Sequence, residues 1–388
     1  MKFLKKSENT ERYVDNIFTV VNAAKADKDG INATAGCLYD EDGKLFTYRC
    51  VYEAEKNITP AQRAAYASSP AGNKPYLDAV SRFVLEDRVT NHYGTIATAG
   101  GTGGIYMSVR TCLDEGDTII YPSIAWGNYK VIASENNLKS LTYDVYNLDD
   151  MFDKIDEVDG KVFLIVNSPC ENPLGYSYTI QEWQAITNKL NSLDKEAVLM
   201  CDIAYIDYAN NDPKNYFELF NNISDNVLVL LAVSCSKAFS YYGQRLGALI
   251  AINNDPDFID LYINLTSRMA RATWSNLNNA AMLNVADVLN NHYEEYKAEL
   301  DAAKDMLKKR TDLFVRQANE CGLELYTFCD GFFVTLKMDS NEQRDEYHQK
   351  LLDNHIYTIK VNKGVRIGLC SVPLETVDGL ARIMKGLE

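Results

Sequence analysis

Ser234-Cys235-Ser236-Lys237-Ala238-Phe239-Ser240-Tyr241-Tyr242-Gly243-Gln244-Arg245 decides how the rest of the chain is read. Directly before it, Val227-Leu228-Val229-Leu230-Leu231-Ala232-Val233 is aliphatic and β-branched, the pattern of a strand buried on both faces. Open α/β sheets gather their ligands at the carboxyl ends of such strands. A lysine held there among apolar groups loses part of its preference for the charged form and becomes a nucleophile at neutral pH. Ser234, Ser236 and Arg245 add two hydroxyls and a bidentate fork, a set suited to a phosphate.

Bulk properties narrow what such a lysine serves. A chain of 388 residues is too long for one small core, so two lobes are expected. Hydrophobic content of 46% and charged content of 24% are those of a soluble globular protein. The net charge of −15 argues against nucleic acid or an anionic membrane as partner, but not against a small anion met by a few arginines. The opening Met1-Lys2-Phe3-Leu4-Lys5-Lys6 lacks the apolar segment of a signal peptide, and no run of 18 apolar residues is present. Nine cysteines are scattered singly with no CxxC spacing, which reads as reduced thiols and a cytoplasmic location. The histidines, His92, His292, His348 and His355, stand at no metal-ligand spacing, so neither a metal site nor a Ser-His-Asp triad is expected.

Ser-x-Ser-Lys, with arginine eight residues after the lysine, resembles the lysine segment of fold type I pyridoxal-phosphate aminotransferases, in the aspartate and aromatic amino acid branch. Further motifs follow in the order this resemblance requires. In Ile96-Ala97-Thr98-Ala99-Gly100-Gly101-Thr102-Gly103-Gly104 a strand runs through a glycine-rich turn into a helix, whose first amides form an anion site. GxGxxG is not matched there, and the resemblance assigns Gly101 and Thr102 to the cofactor phosphate. Trp126 resembles the indole that stacks on the pyridine ring, while Tyr129 stands where aspartate aminotransferases usually have histidine. Asn172-Pro173-Leu174-Gly175 is similar to the family's Asn-Pro-x-Gly loop, in which the Asn172 amide would donate to the phenolic oxygen of the cofactor. Glu171 replaces the histidine usual before that loop. Asp202 ends the apolar strand Ala197-Val198-Leu199-Met200-Cys201, where a buried acid needs a positive partner. Asp202-Ile203-Ala204-Tyr205 matches the family, giving Asp202 the ring nitrogen and Tyr205 the phenolic oxygen.

The resemblance also places the substrate. Arg366 interrupts the apolar strand Gly364-Val365-Arg366-Ile367-Gly368-Leu369 and would grip the α-carboxylate. Arg271, in Arg271-Ala272-Thr273-Trp274-Ser275-Asn276, stands as far after Lys237 as the family's arginine that reads a distal carboxylate across the dimer interface. Gly36, ahead of the Asp42-Gly43 turn, matches a glycine whose backbone lines the substrate side, with Trp126 and Asn172 beside it. Tyr76, after Lys74-Pro75, would reach the phosphate bound by a neighbouring subunit.

Together these imply an α/β protein with a mostly parallel sheet in a three-layer large domain at 51–290, and a smaller α+β domain from 1–50 and 291–388. The activity implied is transfer of the amino group of an L-amino acid, aspartate or aromatic, to 2-oxoglutarate by a ping-pong mechanism with Lys237 as the catalytic residue. A homodimer with shared sites is implied as well. Elimination at Cβ would use the same residues with a different pocket. A non-catalytic cofactor-binding module fused to a DNA-binding domain is disfavoured, since residues 1–30 are too short for a winged helix and the charge is wrong.

Overall fold

The computed structural model describes residues 16–388. Aliphatic and β-branched runs become strands wherever Gly, Pro, Asn or Asp punctuate them. β1 (Ile31–Asn32) comes first, followed by β2 (His92–Thr98), β3 (Thr118–Pro122) and β4 (Lys139–Tyr143). Next come β5 (Val162–Asn167), β6 (Ala197–Asp202), β7 (Val227–Ser234) and β8 (Gly247–Asn253). β2 to β8 form one seven-stranded sheet in the order β2-β8-β7-β6-β5-β3-β4. Only β8 runs against its neighbours; the other pairs are parallel. Every residue of β5, β6, β7 and β8 is buried, as a sheet covered by helices on both faces requires. The expected mostly parallel α/β architecture is the one observed.

A second, smaller lobe holds β9 (Phe333–Lys337), β10 (Ile356–Tyr357), β11 (Ile359–Val361) and β12 (Gly364–Gly368). β11, β12 and β9 pair antiparallel in that order, and β1 joins β10 in parallel, tying residues 31–32 to the C-terminal lobe. The helix Tyr293–Cys321 is shared between lobes. Tyr296, Leu300, Ala303 and Leu307 belong to the large core, whereas Phe314 and Ala318 pack with Val334, Val365 and Leu380 in the small one. Residues Leu38, Tyr48 and Val51 also sit in the large core, although β1 belongs to the small lobe. Among the described residues no helix is long and apolar enough to cross a membrane.

Thr179 and Glu182 make a capping box at the helix Ile180–Asn191, and Asp40 to Lys44 closes the turn at Gly43, where φ is 73°. The helix Lys74–Leu85 starts on Asn73 with Pro75 in its first turn. Its inward stripe is Tyr76, Ala79, Val80 and Val84. Tyr76 is 0% exposed, and its hydroxyl donates to the Gly247 carbonyl at 2.9 Å. The expectation that Tyr76 reaches a neighbouring subunit's phosphate is therefore corrected: helical periodicity turns it into the core.

Candidate active site

The parallel strands β5, β6 and β7 end side by side at Asn167, Asp202 and Ser234. A cavity of about 200 Å³ lies against these ends. Gly101, Thr102, Ser234, Ser236 and Arg245 line it, as do Trp126, Asn172, Asp202, Tyr205 and Lys237. Ten positions separated by up to 144 residues of sequence thus meet in one place (245 − 101).

The anionic end is built by a helix start and a guanidinium. The helix Gly100–Cys112 begins with Gly100 at φ 70°, and the Thr98 hydroxyl donates to the Gly100 carbonyl at 2.9 Å. A Cβ on Gly100 would lie 2.7 Å from Nη2 of Arg245, so only glycine leaves that guanidinium its place. Arg245 Nη1 donates to the Ser236 hydroxyl at 3.0 Å and to the Tyr242 carbonyl at 2.9 Å. Both acceptors are neutral, and the positive end of the helix faces the same space.

Lys237 sits in the short helix Cys235–Ala238 that directly follows β7. Its Nζ donates to the Gly36 carbonyl at 2.8 Å and lies 4.9 Å and 5.3 Å from the ring centres of Tyr242 and Tyr205. Burial pulls its pKa below the ordinary lysine value, with Arg245 and Arg366 pushing the same way against Cys37 and Cys370.

Asp202 is buried, and among the described residues no cation forms an ion pair with it; Lys237 acts on it only from a distance. Tyr129 donates to its Oδ2 at 2.6 Å and the Ala204 amide to its Oδ1 at 3.2 Å. Burial raises the Asp202 carboxyl, and the Tyr129 bond draws it back. Asn167 braces the neighbourhood: its Nδ2 donates to the Asp202 carbonyl at 2.7 Å, and its Oδ1 accepts from the Asn172 amide at 2.8 Å. Tyr129 thus serves as the donor to the acid where relatives use histidine. Glu171, the other departure, is fully buried; its Oε2 accepts from the Leu174 amide at 2.7 Å and its Oε1 has no partner.

Arg366 approaches from β12. Its Nη1 donates to Asn172 Oδ1 at 3.1 Å, its Nη2 to the Thr34 carbonyl at 2.8 Å, and its Cζ lies 4.3 Å from the Phe333 ring centre. Nε is buried with no acceptor. A buried cation bonded only to neutral groups, with a donor to spare, is prepared for an anion. Arg366 walls not the first cavity but a second one of about 570 Å³, which shares Trp126 and Asn172 with it.

Arg271 does not join these cavities. It lies exposed in the last turn of the helix Pro256–Thr273, with Nη1 bonded to the Ser275 hydroxyl at 2.5 Å. Sequence reasoning passed over Asn167 and Tyr242, both of which line the first cavity. Asn167 is an asparagine at the end of an apolar strand, the signal that singled out Asp202.

The donor set fits pyridoxal phosphate. Arg245 and the helix start suit its phosphate, the unpaired Asp202 suits a protonated ring nitrogen, and the buried Lys237 suits its aldehyde.

Comparison with known proteins points the same way. Residues 28–384 match the family model described as aminotransferase class I and II. The chain is 26% identical over 284 residues to a cytoplasmic aspartate aminotransferase of Dictyostelium discoideum, covering 68% of this chain and 63% of that protein. It thus spans a little under two thirds of that relative's length. An aromatic-amino-acid aminotransferase of Escherichia coli K12 is 24% identical over 318 residues, covering 76% of this chain and 78% of its own. A crystal structure of an aminotransferase from Anaerococcus prevotii superposes with a TM-score of 0.95 at 29% identity, covering 100% and 99% of the two chains. The aromatic-amino-acid aminotransferase of Burkholderia pseudomallei, covalently bound to pyridoxal phosphate, superposes at 0.83 with 22% identity over 98% of each chain.

Proposed function

The chain belongs to the class I and II aminotransferases, and on that footing we propose that it moves the amino group of an acidic L-amino acid to 2-oxoglutarate. The observation that carries this is the single cavity joining a buried amine, a buried acid without a counter-cation and an arginine facing a helix start. The pyridoxal phosphate covalently bound to the Burkholderia relative supports the same cofactor here.

Pyridoxal phosphate, when bound, supplies an aldehyde for amines and a ring that delocalises negative charge from the substrate Cα. The residues of this chain do the rest. Arg245, Ser236 and the amides at Gly101 and Thr102 hold the phosphate. Asp202, kept in place by Tyr129 and Ala204, holds a proton at the ring nitrogen. Asn172 and Tyr205 serve the phenolic oxygen, and Trp126 offers its indole to the ring face. Lys237 anchors the cofactor and then carries the proton from Cα, a task its lowered pKa suits. Arg366 fixes the α-carboxylate and so sets which bond at Cα faces the ring.

The partner in this reading is a second copy of the chain. Phe258, Leu261 and Leu265 form an exposed apolar stripe along the helix that ends in Arg271. Arg271 then reads a distal carboxylate in the opposite subunit. The test is spectroscopic: L-aspartate, but not L-alanine at equal concentration, is expected to convert the visible absorbance of the holoprotein to the shorter-wavelength amino form. Arg271→Ala should weaken that preference. Equal conversion by both amino acids in the unaltered protein would refute the acidic-substrate reading.

A further inference from the structure

The second cavity, about 570 Å³, lies in the range of sites that enclose whole small ligands, and among the described residues four cations and no acid wall it. That runs against the composition, since acids outnumber bases by 54 to 39 in the chain. Arg366 contributes from the site already described. Arg344 and Lys360 come from the small lobe and share one carboxylate, Asp345, at 2.8 Å and 3.0 Å. Lys130 comes from the helix Asn128–Glu135 of the large lobe, four residues after Trp126, and has no ion pair among the described residues. At the rim, Asn362 Nδ2 donates to the Ser123 carbonyl at 3.3 Å, so the two lobes meet there.

Trp126 and Asn172 wall both cavities, and Arg366, bonded to Asn172, walls the second, so a substrate held by its α-carboxylate on Arg366 has this cationic space beside it. We propose that the cavity is a subsite for the anionic side chain of a dicarboxylic amino or oxo acid, read within one subunit by Lys130 together with Lys360 and Arg344. The proposal rests on the aminotransferase reading and adds to it a second reader, on the same chain as the lysine, beside the exposed Arg271. Four cations converge on the cavity with one carboxylate, Asp345, shared by two of them and none in the wall itself; that excess of positive charge raises the local concentration of an anionic ligand and disfavours neutral side chains.

The experiment compares the holoprotein with Lys130→Glu and Lys360→Gln. Glutarate and valerate, a dicarboxylate and a monocarboxylate of the same length, are titrated by calorimetry, and kcat/KM is measured for glutamate and for glutamine. Lys130→Glu should weaken glutarate about tenfold and leave valerate within about twofold, with Lys360→Gln changing both in the same sense by less. The glutamate-to-glutamine ratio of kcat/KM should fall with glutarate affinity. Unchanged glutarate binding in both variants would overturn the subsite. Absence of amino transfer from any donor would instead overturn the aminotransferase reading, because glutarate binding to the holoprotein is scored without turnover.

Discussion

Glu171 carries a consequence that its neighbours in sequence hide. Asn-Pro marked a turn, and the residue before it was visible as a departure from the family, but nothing in the sequence showed how deeply it sits. In the fold it is fully buried, with Oε1 unpartnered and Asp202 and Arg366 nearby. Burial raises its carboxyl well above the ordinary 4.5, so the native state binds that proton more tightly than the unfolded chain does. Stability from this group is complete below that value and is lost as pH rises toward the folded pKa. Glu171→Gln abolishes the titration. The difference in unfolding free energy, variant minus wild type, should therefore climb above about pH 4.5 by up to about 1.4 kcal/mol per pH unit. Urea denaturation across pH measures it, and a difference independent of pH would show that the group ionises normally. Tyr129 teaches a related lesson: its identity was legible as a missing histidine, while its 2.6 Å bond to Asp202 needed strand ends brought together from distant sequence.

At the scale of elements, the strands were the most legible part. β5, β6, β7 and β8 are uninterrupted apolar runs, and their ends carry the chemistry because parallel strands all deliver their carboxyl termini to one edge. Tyr76 shows where a motif misled. Its helix places residues 76, 80 and 84 on one stripe, and that four-residue spacing already pointed inward. The glycine turn before the helix Gly100–Cys112 is where element geometry and site coincide. Gly100→Ala puts a side chain at φ 70° and within 2.7 Å of Arg245 Nη2. The backbone penalty is about 1–2 kcal/mol, and the guanidinium must also move. The variant should lose affinity for pyridoxal phosphate while retaining that for pyridoxal, which lacks the phosphate. An equal loss for both would mean that the turn supports the fold and not the anion.

The whole molecule adds what no single element holds. Two lobes share the helix Tyr293–Cys321, residues 31–32 pair with the C-terminal lobe, and Arg366 enters the site from that lobe while Lys237 waits at the edge of the large sheet. Length and alternation led to an expectation of two lobes; the sharing of one helix between two cores was not legible, because its apolar residues look alike on either side of the boundary. In the dimer proposed above, the exposed stripe of Phe258, Leu261 and Leu265 is the face that a second copy of the chain would cover. Leu261→Glu with Leu265→Glu should convert a dimer to a monomer in sedimentation velocity and reduce turnover with acidic donors. A chain that is monomeric before substitution would remove Arg271 from the proposed site.

The central claim is that Lys237 carries out amino transfer. The most direct measurement gives the holoprotein L-glutamate with no oxo acid present and counts products after one turnover. One 2-oxoglutarate per active site, no free ammonia and stoichiometric formation of the amino form of the cofactor is the predicted result, and Lys237→Ala should abolish it. Continuous release of ammonia from amino acids without an oxo-acid acceptor would contradict the account and identify elimination as the reaction.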